Sequence, residues 1–151
     1  MHITTTGRNN VLSKKEAKYI LNLFADVLLG KRLSKNISVK LVFKEFGDWG
    51  MCAPTDYEFD CAHREFEIFV NPYLTFKNQI KTLAHEMVHL KQFARGELKQ
   101  YANEDFKWLG KRIEIEYGSN KEAMKKPWER EATLSEEYLY NYYINSIAEE
   151  K

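Results

Sequence analysis

The sequence lacks the segments that direct a chain into or across a membrane. No run of residues is long and apolar enough to span a bilayer. The first residues, MHITTTGRNNVLSKKEAKYI, do not combine a charged stretch with a purely apolar one, as a signal peptide does. We therefore expect a cytoplasmic protein that has no membrane partner.

The chain also contains few cysteines and has a net charge close to zero. The two cysteines, Cys52 and Cys61, are expected to be free thiols in a reducing compartment. The chain has no Cys-x-x-Cys pair with which to build a zinc ribbon that binds DNA. Its 23 basic and 22 acidic side chains leave a formal charge of +1, which provides no overall attraction to nucleic acid. Nucleic acid is therefore not an expected partner.

Apolar residues are plentiful by comparison. They make up 44% of the 151 residues, and aromatic residues make up 14%, which excludes a disordered chain. No internal repeat, low-complexity tract or linker divides the sequence. These features predict a single domain over residues 1–151, in which we expect residues 1–10 to be flexible.

The spacing of apolar residues predicts an α+β fold, with a small twisted sheet packed against three helices. Capping and stop residues delimit the helices, which are predicted from Ser13 to about Gly30, from Thr75 to about Arg95, and from Pro127 to about Ala148. Alternating apolar residues predict strands within 36–46 and at 65–70, with room for a short third strand between them, and a hairpin around Gly110.

The central helix carries the motif His-Glu-x-x-His. Residues four apart on a helix are offset by only about 40°, so His85 and His89 can bind one ion while Glu86 stands beside it. A catalytic zinc site usually has three protein ligands and one open position. The residues alone leave Glu129 and Glu131, at the start of the last helix, as candidates for the third ligand. The alternative is a pair of histidines that simply face solvent.

The pattern resembles a known class of enzymes. His85-Glu86-x-x-His89 followed by Glu131-Ala132 on a later helix resembles the gluzincin metallopeptidases, in which that glutamate is the third zinc ligand. The layout of EFEIFVNP, IKTLAHEMVHLKQFARGEL, FKWLGK and PWEREA resembles the small SprT-like zincin proteins of bacteria and phages. The SprT branch proper has a third histidine downstream, whereas this chain has none after His89.

The resemblance implies a zincin-like metallopeptidase domain that holds one Zn²⁺ through His85, His89 and Glu131, with Glu129 as the alternative to Glu131. Glu86 would be the general base that deprotonates a zinc-bound water, and the substrate would be a protein or peptide. The strand at 65–70 would form the edge of the cleft. Tyr138, Tyr117 and His63 remain open as a second donor to the oxyanion.

Two other functions stay open from the sequence. One is a zincin-fold binding or regulatory protein that holds zinc but has little or no activity, which would suit the small size of the chain. The other is a SprT-like protease acting on proteins attached to nucleic acid, against which the near-zero net charge counts.

Overall fold

The computed structural model describes residues 1–56, 62–101, 106–113 and 126–150. Within these ranges the chain forms three helices and two small sheets, which confirms the α+β class. Cys61 and Tyr117 lie outside the described residues. The elements, in chain order, are β1 (His2–Thr6), α1 (Lys14–Ser34), β2 (Ser38–Phe43), β3 (Gly50–Pro54), β4 (Glu65–Val70), α2 (Phe76–Ala94), β5 (Leu98–Gln100), β6 (Phe106–Trp108), β7 (Lys111–Ile113) and α3 (Pro127–Glu149).

The larger sheet has the strand order β1-β2-β4-β3. Strands β1, β2 and β4 are parallel, whereas β3 pairs antiparallel with β4 and forms one edge. The prediction that residues 65–70 form the edge of the cleft is wrong, because β4 is paired on both sides. The short segment between the two predicted strands supplies the edge strand instead.

The N-terminal residues contribute a strand to the larger sheet. Residues 2–6 form β1, whose parallel ladder with β2 pairs Ile3 with Val39. Ile3 is buried in the core, so apolar burial adds to the ladder hydrogen bonds in holding this segment. Within the stretch 1–10, which we expect to be flexible from the sequence, residues 2–6 are thus part of the larger sheet.

The helices begin where their capping residues predict. The Ser13 side chain accepts a hydrogen bond from the Glu16 backbone at the start of α1, and Thr75 caps α2 in the same way. The predicted end of α1 at Gly30 is one turn short. Gly30 has non-helical angles, φ 75° and ψ 158°, but the chain resumes its helical course to Ser34. Arg95 donates to the backbone oxygens of the two residues before this break.

One contiguous apolar core joins the larger sheet to all three helices. Helix α2 contacts α1, α3 and β3, and its contact with α3 is the most extensive between any two elements. The smaller sheet contains the predicted hairpin, in which Leu109 and Gly110, with φ values of 49° and 83°, turn the chain between β6 and β7. Across the described parts of the chain, no helix is long and apolar enough to cross a membrane.

Candidate metal centre

The two histidines of α2 point their ring nitrogens at each other. His85 and His89 are one helical turn apart, and their Nε2 atoms are 3.2 Å from one another. His89 is 8% exposed and His85 is half-buried, so neither imidazole is a freely hydrated surface group. This placement argues against the reading of the motif as two solvent-facing histidines.

A carboxylate from α3 approaches both rings. Glu129 Oε2 lies 3.2 Å from His85 Nε2, and Glu129 Oε1 lies 3.3 Å from His89 Nε2. Tetrahedral zinc, with ligand distances near 2.0–2.1 Å, separates neighbouring ligand atoms by about 3.3 Å. Within the described part of the chain, His85, His89 and Glu129 form the one group of three or more potential ligand side chains close enough to hold a metal ion.

The structure corrects the choice of Glu131 as the third ligand. Glu131 Oε1 instead accepts hydrogen bonds from Lys91 Nζ at 2.9 Å and from Gln92 Nε2 at 3.1 Å. Residues that are two positions apart on a helix point in directions that differ by about 200°. Glu129 and Glu131 therefore cannot face the same site. Ala132, which follows Glu129 by three positions and so lies on the same side of α3, is fully buried.

Each histidine has a polar partner at its other ring nitrogen. Glu136 Oε2 lies 3.1 Å from His85 Nδ1, and Gln92 Oε1 lies 2.9 Å from His89 Nδ1. Neither Glu136 nor Gln92 is among the site residues expected from the sequence. A signal was present for Glu136, since it follows Glu129 by seven positions, about two helical turns, and therefore lies on the same face of α3.

Glu86 lies on the floor of the site and makes close contact with the edge strand. It is 6% exposed, and a Cβ atom placed on Gly50 of β3 would be 3.1 Å from Glu86 Oε1. Burial raises the pKa of Glu86 to about 7, against the opposing charges of His89 and His85. This carboxyl group can therefore both take and give a proton near neutral pH.

The pKa values of the ligand groups show strong mutual stabilisation of charge. Burial lowers the pKa of His85, but hydrogen bonding to Glu129 and the charge of Glu86 outweigh it and raise this pKa to about 9. Burial likewise raises the pKa of Glu129, yet its hydrogen bonds with His85 and His89 outweigh that effect and hold it well below its usual range. In the metal-free chain, protons on the two imidazoles are stabilised by the Glu129 carboxylate. These protons occupy the position where a cation would bind.

These groups line a cleft of about 520 Å³ between α2, α3 and β3. Its lining residues are Asp48, Trp49, Gly50, Met51, Cys52, Lys81, Thr82, His85, Glu86, His89, Glu129, Thr133 and Glu136. Cys52 is a free thiol, as predicted, and burial raises its pKa.

Neither of the two described candidates for a second oxyanion donor, Tyr138 and His63, lines this cleft. Tyr138 is 62% exposed and is not among the lining residues. His63 contacts Asp56 through Nδ1, at 2.9 Å, and packs edge-on against Phe93. Tyr117 is outside the described residues.

Comparisons of the chain with models of protein families, with curated proteins and with solved structures gave no match.

Proposed function

We propose that this protein is a zinc-dependent metallopeptidase that uses His85, His89 and Glu129 as metal ligands and Glu86 as general base. One observation carries the proposal. Three ligand groups from two helices meet at separations near 3.3 Å, directly beside a buried carboxyl group, in an accessible cleft. A cluster that only stabilised the fold would have no need of the cleft or of Glu86.

The set of ligand atoms favours zinc. Two imidazole nitrogens and one carboxylate oxygen are the protein ligands of many catalytic zinc sites, whereas calcium and magnesium prefer oxygen ligands alone. When bound, such an ion supplies Lewis acidity that acidifies water and polarises a carbonyl group.

Glu86 provides the proton transfer. Buried beside the two histidines and lining the cleft, it is placed to accept a proton from a water molecule there and then to deliver that proton to the leaving amine. Glu86 directly follows His85 in α2, so its carboxyl group lies next to the proposed ligands. It is not itself one of the three residues that could hold the ion.

The edge strand supports a peptide as the substrate class. In the described residues β3 pairs only with β4, so the backbone groups on its other edge are free, and Gly50, Met51 and Cys52 line the cleft. An extended peptide can add to such an edge through main-chain hydrogen bonds. This mode favours flexible or unfolded segments of proteins.

The test is to measure zinc content and peptide cleavage in the wild-type chain and in Glu86→Gln. We expect one zinc per chain in both proteins, and a loss of cleavage of at least about 100-fold in the variant, since the amide cannot accept the proton. Glu137→Gln, on the exposed surface of α3, is the control and should cleave like the wild type.

Each contrary outcome has a defined meaning. Unchanged turnover in Glu86→Gln would reject Glu86 as the general base. Zinc binding without cleavage of any member of a peptide library would favour the zincin-fold binding protein over the enzyme.

A further inference from the structure

We infer that Gln92 and Glu136 are positioning residues, which hold both histidines with the proton on Nδ1 and so set the affinity of the site for its metal. This inference rests on the proposed metal site and concerns residues that do not touch the ion. It follows from the direction of the hydrogen bonds on the far side of each imidazole.

Gln92 has its amide orientation fixed by two acceptors. Its Nε2 atom donates to the Trp128 backbone oxygen at 2.9 Å and to Glu131 Oε1 at 3.1 Å. These bonds use both amide hydrogens, so the other end of the amide, Oε1, faces His89 Nδ1 at 2.9 Å. Because Gln92 is 0% exposed, water does not compete for these partners.

That orientation determines the tautomer of His89. An amide oxygen can only accept, so His89 Nδ1 must donate and carry the hydrogen. In the neutral ring the lone pair is then on Nε2, which is the atom that faces Glu129. The side chain of Gln92 thus selects the ring nitrogen that is available to a metal.

Glu131 has a place in this arrangement although it is not a ligand. Its Oε1 atom receives both the Gln92 amide and the Lys91 ammonium group, and Lys91 balances its charge. Glu131 therefore acts on the site through Gln92 and His89. Removing it would leave the Gln92 amide with one of its two acceptors, the Trp128 backbone oxygen, without removing any ligand.

Glu136 acts in the same way on His85. An ionised carboxylate can only accept, so its contact with His85 Nδ1 at 3.1 Å places the hydrogen on that nitrogen. In the neutral ring, the lone pair of His85 is then on Nε2, which lies on the side of Glu129, 3.2 Å from Oε2. A carboxylate in this position also makes the imidazole a stronger ligand.

The experiment compares Glu136→Leu and Gln92→Met with the wild-type chain. Zn²⁺ affinity is measured by competition with a chromophoric chelator, and ¹⁵N NMR of the histidine side chains in the Zn²⁺-loaded proteins identifies the ligating nitrogen. We expect each substitution to weaken Zn²⁺ binding by about 10- to 100-fold. The nitrogen signals should change for His85 alone in the first variant and for His89 alone in the second.

Two further variants separate positioning from general structural damage. Glu136→Gln keeps an acceptor for His85 Nδ1 and should recover much of the lost affinity. Glu137→Ala changes the neighbouring residue, which pairs with Lys81 rather than with an imidazole, and should bind Zn²⁺ like the wild type. Glu136 is partly exposed, so its variants test the idea even if Gln92→Met does not fold.

The outcomes distinguish the two proposals. Wild-type affinity in both Glu136→Leu and Gln92→Met, together with loss of binding in Glu129→Ala, would overturn the positioning role alone. Absence of Zn²⁺ binding by the wild-type chain would overturn the metal site and the positioning role together. Equal changes at both histidines in each variant would also contradict separate positioning.

Discussion

At the scale of single residues, Gly50 allows the edge strand β3 to approach helix α2 closely. A Cβ atom at this position would lie 2.5 Å from Thr82 Cγ2 and 3.1 Å from both Glu86 Cγ and Glu86 Oε1. The contact at 2.5 Å requires the Thr82 side chain, the strand or the helix to shift. The close approach places the backbone of β3 directly beside the proposed general base.

We therefore predict that Gly50→Ala destabilises the fold by about 1–3 kcal/mol and reduces peptide cleavage, because the added methyl group displaces β3 from α2. Urea denaturation gives the free energy of unfolding. Adding Thr82→Ser removes the methyl group at 2.5 Å but keeps the hydroxyl that bonds the Asn78 carbonyl, so the double variant should regain stability. Equal stability of Gly50→Ala and the wild type would disprove the tight contact.

The raised pKa of His85 leads to a pH dependence of metal binding. With a pKa of about 9, this imidazole is protonated at neutral pH in the metal-free chain, so an incoming ion must displace a proton. Raising the pH removes that competitor, and the apparent Zn²⁺ affinity should increase about tenfold per pH unit between about 6.5 and 8.5. Calorimetry in buffers of different ionisation enthalpy would count the released protons; an affinity independent of pH would contradict the shared proton.

At the scale of elements, the site joins two helices that already pack closely. His85 and His89 belong to α2 and Glu129 to α3, so a bound ion adds a link between them that exists only in the folded chain. The two helices also interact through ion pairs between Lys81 and Glu137 and between Lys91 and Glu131. A metal bound at the proposed site would therefore reinforce an existing interface.

Chelation should then lower the melting temperature without unfolding the protein at room temperature. At a free zinc concentration a thousandfold above Kd, the ion adds about 4 kcal/mol, which for a chain of this size corresponds to about 8–16 °C. Glu129→Ala should melt at the same temperature with and without chelator, whereas Glu131→Ala should keep part of the difference. A chelator-insensitive wild type would argue against a site that spans the two helices.

The elements were largely predictable because their signals are local. Ser13, Thr75 and Pro127 mark helix starts, and strict alternation marks β2 and β4. Strand order and edge position depend on which strands pair, and nothing in the segment at 65–70 records that β3 would cover its outer side. Likewise, β1 is fixed by pairing with β2 and not by a pattern of its own.

At the scale of the whole molecule, the predictable part of the site is the part contained in one helix. The spacing of His85, Glu86 and His89 fixes their common face before any tertiary structure is known. The choice between Glu129 and Glu131 depends on how α3 is rotated against α2, which the packing of buried residues decides. The same rotation brings Glu136 to His85. The packing of α3 against α2 therefore explains both why Glu131 was preferred to Glu129 and why Glu136 was not expected in the site.

The division of the site between two distant segments also affects its assembly on the ribosome. Glu129 follows His89 by 40 residues, so the histidine pair is synthesised well before its third partner. A nascent chain that ends between them offers only two imidazoles, too few for a firm zinc site. Capture of the ion would thus be a late event in biogenesis, restricted to chains that have been translated through the last helix and have docked it.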